Sequence, residues 1–159
     1  MTPDLIAWLT APQDVRERRD RIAGYLANEG YPLPPPPADA DYDEAGAIHR
    51  VLDQEMTVAY SVVDQSGRRV YHYVENETDH IVLGRIEHDD EWAIELLDLI
   101  PAILRTGLVT EKRFDKMIYQ SQRNYRHPDG WWCPLRVVIK MGPRGRWYVD
   151  TFYPWYPKR

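Results

Sequence analysis

The spacing of apolar positions changes character several times along this chain. Leu5, Ile6 and Leu9, then Val15, Ile22, Tyr25 and Leu26, recur at helical intervals and predict a small helical arm broken at Pro12. Pro34 to Pro37, after Gly30-Tyr31-Pro32, favour an extended polyproline segment and read as a stiff connector ending that arm at residue 37. Residues 45–54 place Ile48, Val51 and Leu52 at helical spacing and predict a short helix. The period then shortens: MTVAYSVVDQSGRRVYHYV is rich in Val, Thr and Tyr around Asp64-Gln65-Ser66-Gly67, which is a hairpin signal.

A short apolar run over 80–85 leads into EWAIELLDLIPAILRTG, where Trp92, Leu96, Leu99, Ile100 and Ile103 follow a helical period. Pro101 should kink this helix or start a second one, and Gly107 is a natural stop. Strands are expected again over 116–123, 135–141 and 146–153. Gly142-Pro143-Arg144-Gly145 makes the last two antiparallel neighbours. The expected fold class is α+β, with helices packed on one face of a C-terminal antiparallel β-sheet. The expected organisation is an arm and connector over 1–37 and a domain over 38–159.

Length and composition narrow the field. At 159 residues the chain suits one core, and no apolar run approaches the roughly 18 to 20 residues that span a bilayer, so no membrane span is expected. The N-terminus lacks a basic region ahead of a long apolar one, which argues against a classical signal peptide. Cys133 is the only cysteine, so it can join neither an intrachain disulfide nor a thiolate zinc cluster, and it reads as a small core residue. The formal charge of −5 hides a polarity. Residues 1–104 hold 8 Lys/Arg against 21 Asp/Glu, a formal −13, while residues 105–159 hold 12 against 4, a formal +8. Either the halves neutralise each other across an internal contact, or the basic half forms a face for a polyanion.

The C-terminal strands sharpen the second alternative. Leu135, Val137 and Ile139 point one way and Arg136, Val138 and Lys140 the other. On the last strand, Arg146, Tyr148, Asp150 and Phe152 alternate with Trp147, Val149, Thr151 and Tyr153. Lys140 therefore lies beside either Arg146 or the hydroxyl pair Thr151 and Tyr153, and both arrangements suit a phosphate. Tyr119, Tyr125, Trp131, Trp132, Tyr148, Tyr153, Trp155 and Tyr156 lie among these cations. Exposed rings of that kind stack on single-stranded bases, although at least half of them are expected to be buried.

The stretch HIVLGRIEHDDEWAIELLDLIPAILRTG, then Arg113, then LRVVIKMG and RWYVDTFYP, resembles the toxin nucleases of the barnase, EndoU, colicin and RelE superfamily. It is most similar to their phage and polymorphic-toxin branch, over about residues 78–154. The resemblance implies a metal-independent endoribonuclease that uses the RNA 2′-hydroxyl as nucleophile and leaves a cyclic phosphate. It implies that His80 or His88 serves as base or acid, that Arg85 and Arg113 hold phosphates, that Lys140 stabilises the phosphorane, and that Thr151 and Tyr153 orient the scissile group. Histidine as a residue type suits proton transfer near neutrality. Arg146 joins the phosphate-binding set through the strand pattern. The partners so implied are RNA, single-stranded or tRNA, and a cognate immunity protein or antitoxin. The site of action implied is the cytoplasm, with delivery as a secreted effector as one route. No cofactor or metal is expected, since His72, His80 and His88 recur at intervals of eight, which matches no local ligand spacing. The reading from another class is a non-catalytic binding protein, an immunity protein or phage accessory factor, whose acidic half covers a basic partner.

Overall fold

The structure, a computed structural model, describes residues 3–156. Helix α1 (Pro3–Thr10) and helix α2 (Val15–Glu29) form the N-terminal arm. Asp14 caps α2 by accepting the Arg16 N–H at 3.3 Å, and Gly30 ends it in the left-handed conformation at φ 86°. The arm is built into the main core: Leu9, Ile22 and Leu26 are fully buried in the same cluster as the sheet residues. The proline connector lies against that core through Tyr31 and Leu33.

Nine strands follow among the described residues. They are β1 (Ile48–Val51), β2 (Gln54–Val63), β3 (Arg69–Tyr73), β4 (Leu108–Lys112), β5 (Lys116–Gln120), β6 (Tyr125–Arg126), β7 (Trp132–Cys133), β8 (Leu135–Met141) and β9 (Trp147–Pro154). Strands β6 and β7 make a small ribbon, and the rest form one seven-stranded sheet in the order β1-β2-β3-β9-β8-β5-β4. Each half is an antiparallel meander. The halves meet where β3 and β9 pair in parallel over only Val70↔Trp147 and Tyr71↔Tyr148, so the sheet is mixed. Beyond that point β3 gives way to α3 (residues 74–87), which is α-helical at both ends and widened into a π-helix over Glu77–Val82. A 3-10 segment (Glu91–Leu99) and helix α4 (Ile100–Thr106) follow, with Pro101 in the first turn of α4, where the missing donor costs nothing.

The α+β expectation holds, as do the hairpin, the break at Pro101 and the strand pair ending the chain. One expectation fails and two elements went unassigned. Residues 45–54 are a turn and strand β1: His49 and Val51 are buried while Ile48 and Leu52 are exposed, so the two-residue period prevails and Leu52 (φ 55°) turns the chain into β2. The run 80–85 is helical. Strand β4, rich in charge and solvent-exposed, was hidden from periodicity because an edge strand buries little.

Helices cover one face of the sheet. Their buried side chains join Tyr60, Val62, Val70, Met117, Tyr119, Val137, Ile139, Val149 and Phe152 in one cluster. Val51, Val58, Tyr73 and Tyr148 form a smaller cluster on the opposite face, to which no helical residue belongs. Gly107 closes α4 against β5: a Cβ there would lie 2.5 Å from the Ile103 carbonyl oxygen and 3.0 Å from that of Gln120.

Candidate functional site

The helix-free face gathers its polar groups because β9 is irregular. Val138 pairs with Thr151 and Ile139 with Val149, so Asp150 is an extra residue, a β-bulge. Strict alternation would separate Tyr148 and Asp150 from Thr151 and Tyr153. The bulge instead resets the parity. Trp147, Val149 and Phe152 pack into the helix-covered core, while Tyr148, Asp150, Thr151 and Tyr153 share the face of Arg136, Val138 and Lys140. Both alternatives left open by spacing are thus partly realised: Lys140 lies opposite Tyr148, and Thr151 and Tyr153 lie further along, opposite Val138 and Arg136. Strand β5 adds Lys116 and Gln120, opposite Lys140 and Arg136.

Along its other edge β9 is bordered by α3, which takes over where β3 leaves the sheet. The Asn76 amide donates to the Val149 and Asp150 carbonyl oxygens at 2.8 and 2.9 Å, satisfying acceptors that a strand would have paired. His80, four residues on, falls on the same flank of the helix and is solvent-exposed. Since β3 and β9 are parallel and α3 continues from β3, this flank runs alongside β9 in the direction of Thr151 and Tyr153. Further along, the Arg85 guanidinium packs 5.9 Å from the Tyr153 ring centre.

The cations here are held but not consumed. Lys140 Nζ lies 3.2 Å from Asp150 Oδ2, with the lysine side chain 44% exposed. Arg136 Nε donates to Gln120 Oε1 at 3.0 Å and its guanidinium lies 4.3 Å from the Trp155 ring centre, and among the described residues its terminal nitrogens have no hydrogen-bond partner. Lys116 pairs at 3.3 Å with Glu111.

The remaining residues singled out in the sequence lie elsewhere. Arg85 is buried and donates to Asp90 at 2.8 Å. Burial pulls its guanidinium below the ordinary value against the opposing charge of Asp90. The Tyr156 hydroxyl donates to the other Asp90 oxygen at 2.5 Å and receives the Trp92 indole N–H at 3.2 Å. Burial, with help from Asp90, pushes that hydroxyl's pKa up. Arg85 is therefore a structural ion-pair member that supports Tyr153, and it is not an open phosphate ligand. His88 caps the end of α3 and is exposed. It lies eight residues beyond His80, about two helical turns along α3. Arg113 is exposed in the β4–β5 turn beside Glu111. Arg146 lies across the seam, where its charge acts on His49, Tyr71 and Tyr73. Burial, then Arg146, lowers the His49 pKa.

Three further findings bear on chemistry. Of the named rings, only Tyr119 and Tyr148 are buried; Trp132 and Tyr156 are exposed and the other four half-buried, so fewer are sequestered than expected. Among the described residues one ion pair, Arg105–Asp39, joins the acidic and basic halves, and Arg123, Arg126 and Arg144 are exposed without one. Among the described residues no group of three or more His, Cys, Asp or Glu side chains is placed to hold a metal ion. Asn76 and the bulge at Asp150 have no signal in the sequence, and Arg136, placed there on the face of Lys140, gains a role only from its pairing opposite Tyr153 and Gln120. No protein-family model, curated protein or solved structure matches the chain.

Proposed function

We propose that the chain binds RNA on the helix-free face of β5, β8 and β9 and cleaves it as a metal-independent endoribonuclease. The observation that carries this reading is the bulge at Asp150, which brings Thr151 and Tyr153 to the face of Lys140 and Arg136 beside the α3 flank bearing His80. In this mechanism His80 takes the 2′ proton, the 2′-oxygen attacks phosphorus, and the bond to the 5′-oxygen breaks to leave a cyclic phosphate. Tyr153 supplies the proton to the leaving oxygen. Lys140 offsets charge on the nonbridging oxygens while Thr151 donates to one of them, and Arg136, about 13 Å along β8, holds a flanking phosphate. Lys140 exchanges Asp150 for phosphate on binding. His88, Arg113 and Arg146 fall outside this centre.

The test is cleavage of total RNA in EDTA by the wild type, His80→Ala, His88→Ala and Lys140→Ala. The expected outcome is metal-independent cutting that folded His80→Ala and Lys140→Ala lose by about 100-fold or more, with His88→Ala retaining it. No cutting by the wild type across salt and pH sinks the catalytic reading.

A second reading is favoured by one observation: Glu17, Asp20, Glu29, Glu55, Glu87, Asp89 and Glu95 are exposed and form no ion pair among the described residues. A non-catalytic protein that covers a basic partner would use those carboxylates. It predicts partner binding that is lost on neutralising them and unaffected by Lys140→Ala.

A further inference from the structure

Beneath the proline connector lies a cavity of about 320 Å³, on the other side of the sheet from the proposed RNA face. Ligand pockets run from about 300 to 1,000 Å³, so this one suits a small molecule. Its walls are mainly apolar, built from Leu33, the rings of Pro34 to Pro37, Val74 and Leu97. Consecutive prolines hold such a wall in shape before any ligand arrives, which lowers the ordering cost of binding.

Tyr42 donates its hydroxyl to the Pro37 carbonyl oxygen, but most of the polar lining is unmatched. Arg16 and Arg19 of α2 and Asp98 line the cavity, and among the described residues their side chains make no hydrogen bond or ion pair. The Tyr60 hydroxyl likewise lacks a partner, although the residue is buried. Glu77 uses one oxygen, Oε1, 3.0 Å from Nε2 of the fully buried His72, and its other oxygen has no hydrogen bond among the described residues. Burial pushes the Glu77 pKa up, but the His72 hydrogen bond, with the charges of His72 and Arg19, outweighs it and keeps the group below the ordinary carboxylate value. Burial also raises the pKa of Tyr60, so its hydroxyl remains protonated.

Two carboxylates and two guanidiniums thus border one small apolar space. A simple cation entering it would meet Arg16 and Arg19, and a simple anion would meet Glu77 and Asp98. We propose that the cavity binds a free α-amino acid with an apolar side chain. Its ammonium group is held by Glu77, Asp98 and the Tyr60 hydroxyl, its carboxylate by Arg16 and Arg19, and its side chain lies against the prolines. This site is independent of RNA cleavage.

The test is isothermal titration of the full chain with L-valine, L-leucine, L-isoleucine, L-methionine, L-phenylalanine and L-tryptophan. At least one should bind with a Kd below about 1 mM, and its decarboxylated and deaminated counterparts should each bind about 10-fold more weakly or worse. Glu77→Gln removes a carboxylate that also holds His72, so Arg16→Gln and Asp98→Asn, at positions with no bond to lose, are the decisive variants. Each should weaken binding about 10-fold with an unchanged melting temperature. The proposal is overturned if none of the six binds at about 10 mM, if either counterpart binds as well as the amino acid, or if both variants bind like the wild type.

Discussion

Two regions of the sheet handle polar groups in opposite ways. Toward the helices, Asp64 has a fully buried carboxylate whose Oδ1 accepts the Ser66 and Arg68 N–H groups and whose Oδ2 accepts the Tyr119 hydroxyl at 2.7 Å. Arg85, Asp90, Tyr156 and Trp92 are bonded to one another in the same manner. On the helix-free face Lys140 and Lys116 have single, partly solvated partners, and Arg136 has one hydrogen bond and the Trp155 ring. Buried polar groups without a full set of partners are costly, so the first kind specifies the fold. Surface groups with one loose partner contribute little to stability and are free to act on something else.

The contrast can be broken by substitution. Asp64→Ala strands the Tyr119 hydroxyl and two backbone donors of the β2–β3 hairpin, and should cost about 3 kcal/mol or more in urea unfolding. A loss below about 1 kcal/mol would mean that the network is not a fold determinant. Leu26→Ala should cost about 2 to 5 kcal/mol. It should do so in a single unfolding transition, because α2 shares the sheet's core; a separate early transition would show the arm to be an appendage. Gly107→Ala forces a methyl group onto two carbonyl oxygens and should cost about 1 to 3 kcal/mol.

On the other face, Lys140→Ala should change stability by less than about 0.5 kcal/mol. It should also lower the salt dependence of RNA binding by about one phosphate contact. A large stability loss would make Lys140–Asp150 a structural pair. The smallest effect concerns Glu77. Its pKa is lower in the folded protein than its ordinary value of 4.5. The stability it contributes is therefore present above that value and lost as pH falls through the folded pKa. Glu77→Gln should flatten the fall in stability below pH 4.5; an unchanged acid limb would show that His72 does not favour the carboxylate.

What was legible in the sequence was local. The hairpin turn at Asp64 to Gly67, the restart at Pro101, the stop at Gly107 and the burial of Cys133 follow from residue types that restrict their own backbone or demand burial wherever they occur. The alternation of Leu135 to Lys140 was likewise readable, because an unbroken strand repeats every two residues. Tertiary structure decided the rest. Strand parity beyond Val149 depends on how β9 pairs with β8, since a bulge adds one residue to one strand only and leaves no mark in the alternation itself. The helical state of 74–87 depends on the edge of β9 that Asn76 satisfies, and its π-helical turn follows no period that apolar spacing reports. The acidic and basic halves were visible as composition, but only folding decided that among the described residues a single ion pair, Arg105–Asp39, joins them. The cavity was invisible for the same reason. Its lining comes from α2, the connector, β2, α3 and the 3-10 segment, and only chain packing brings residues so far apart into one space.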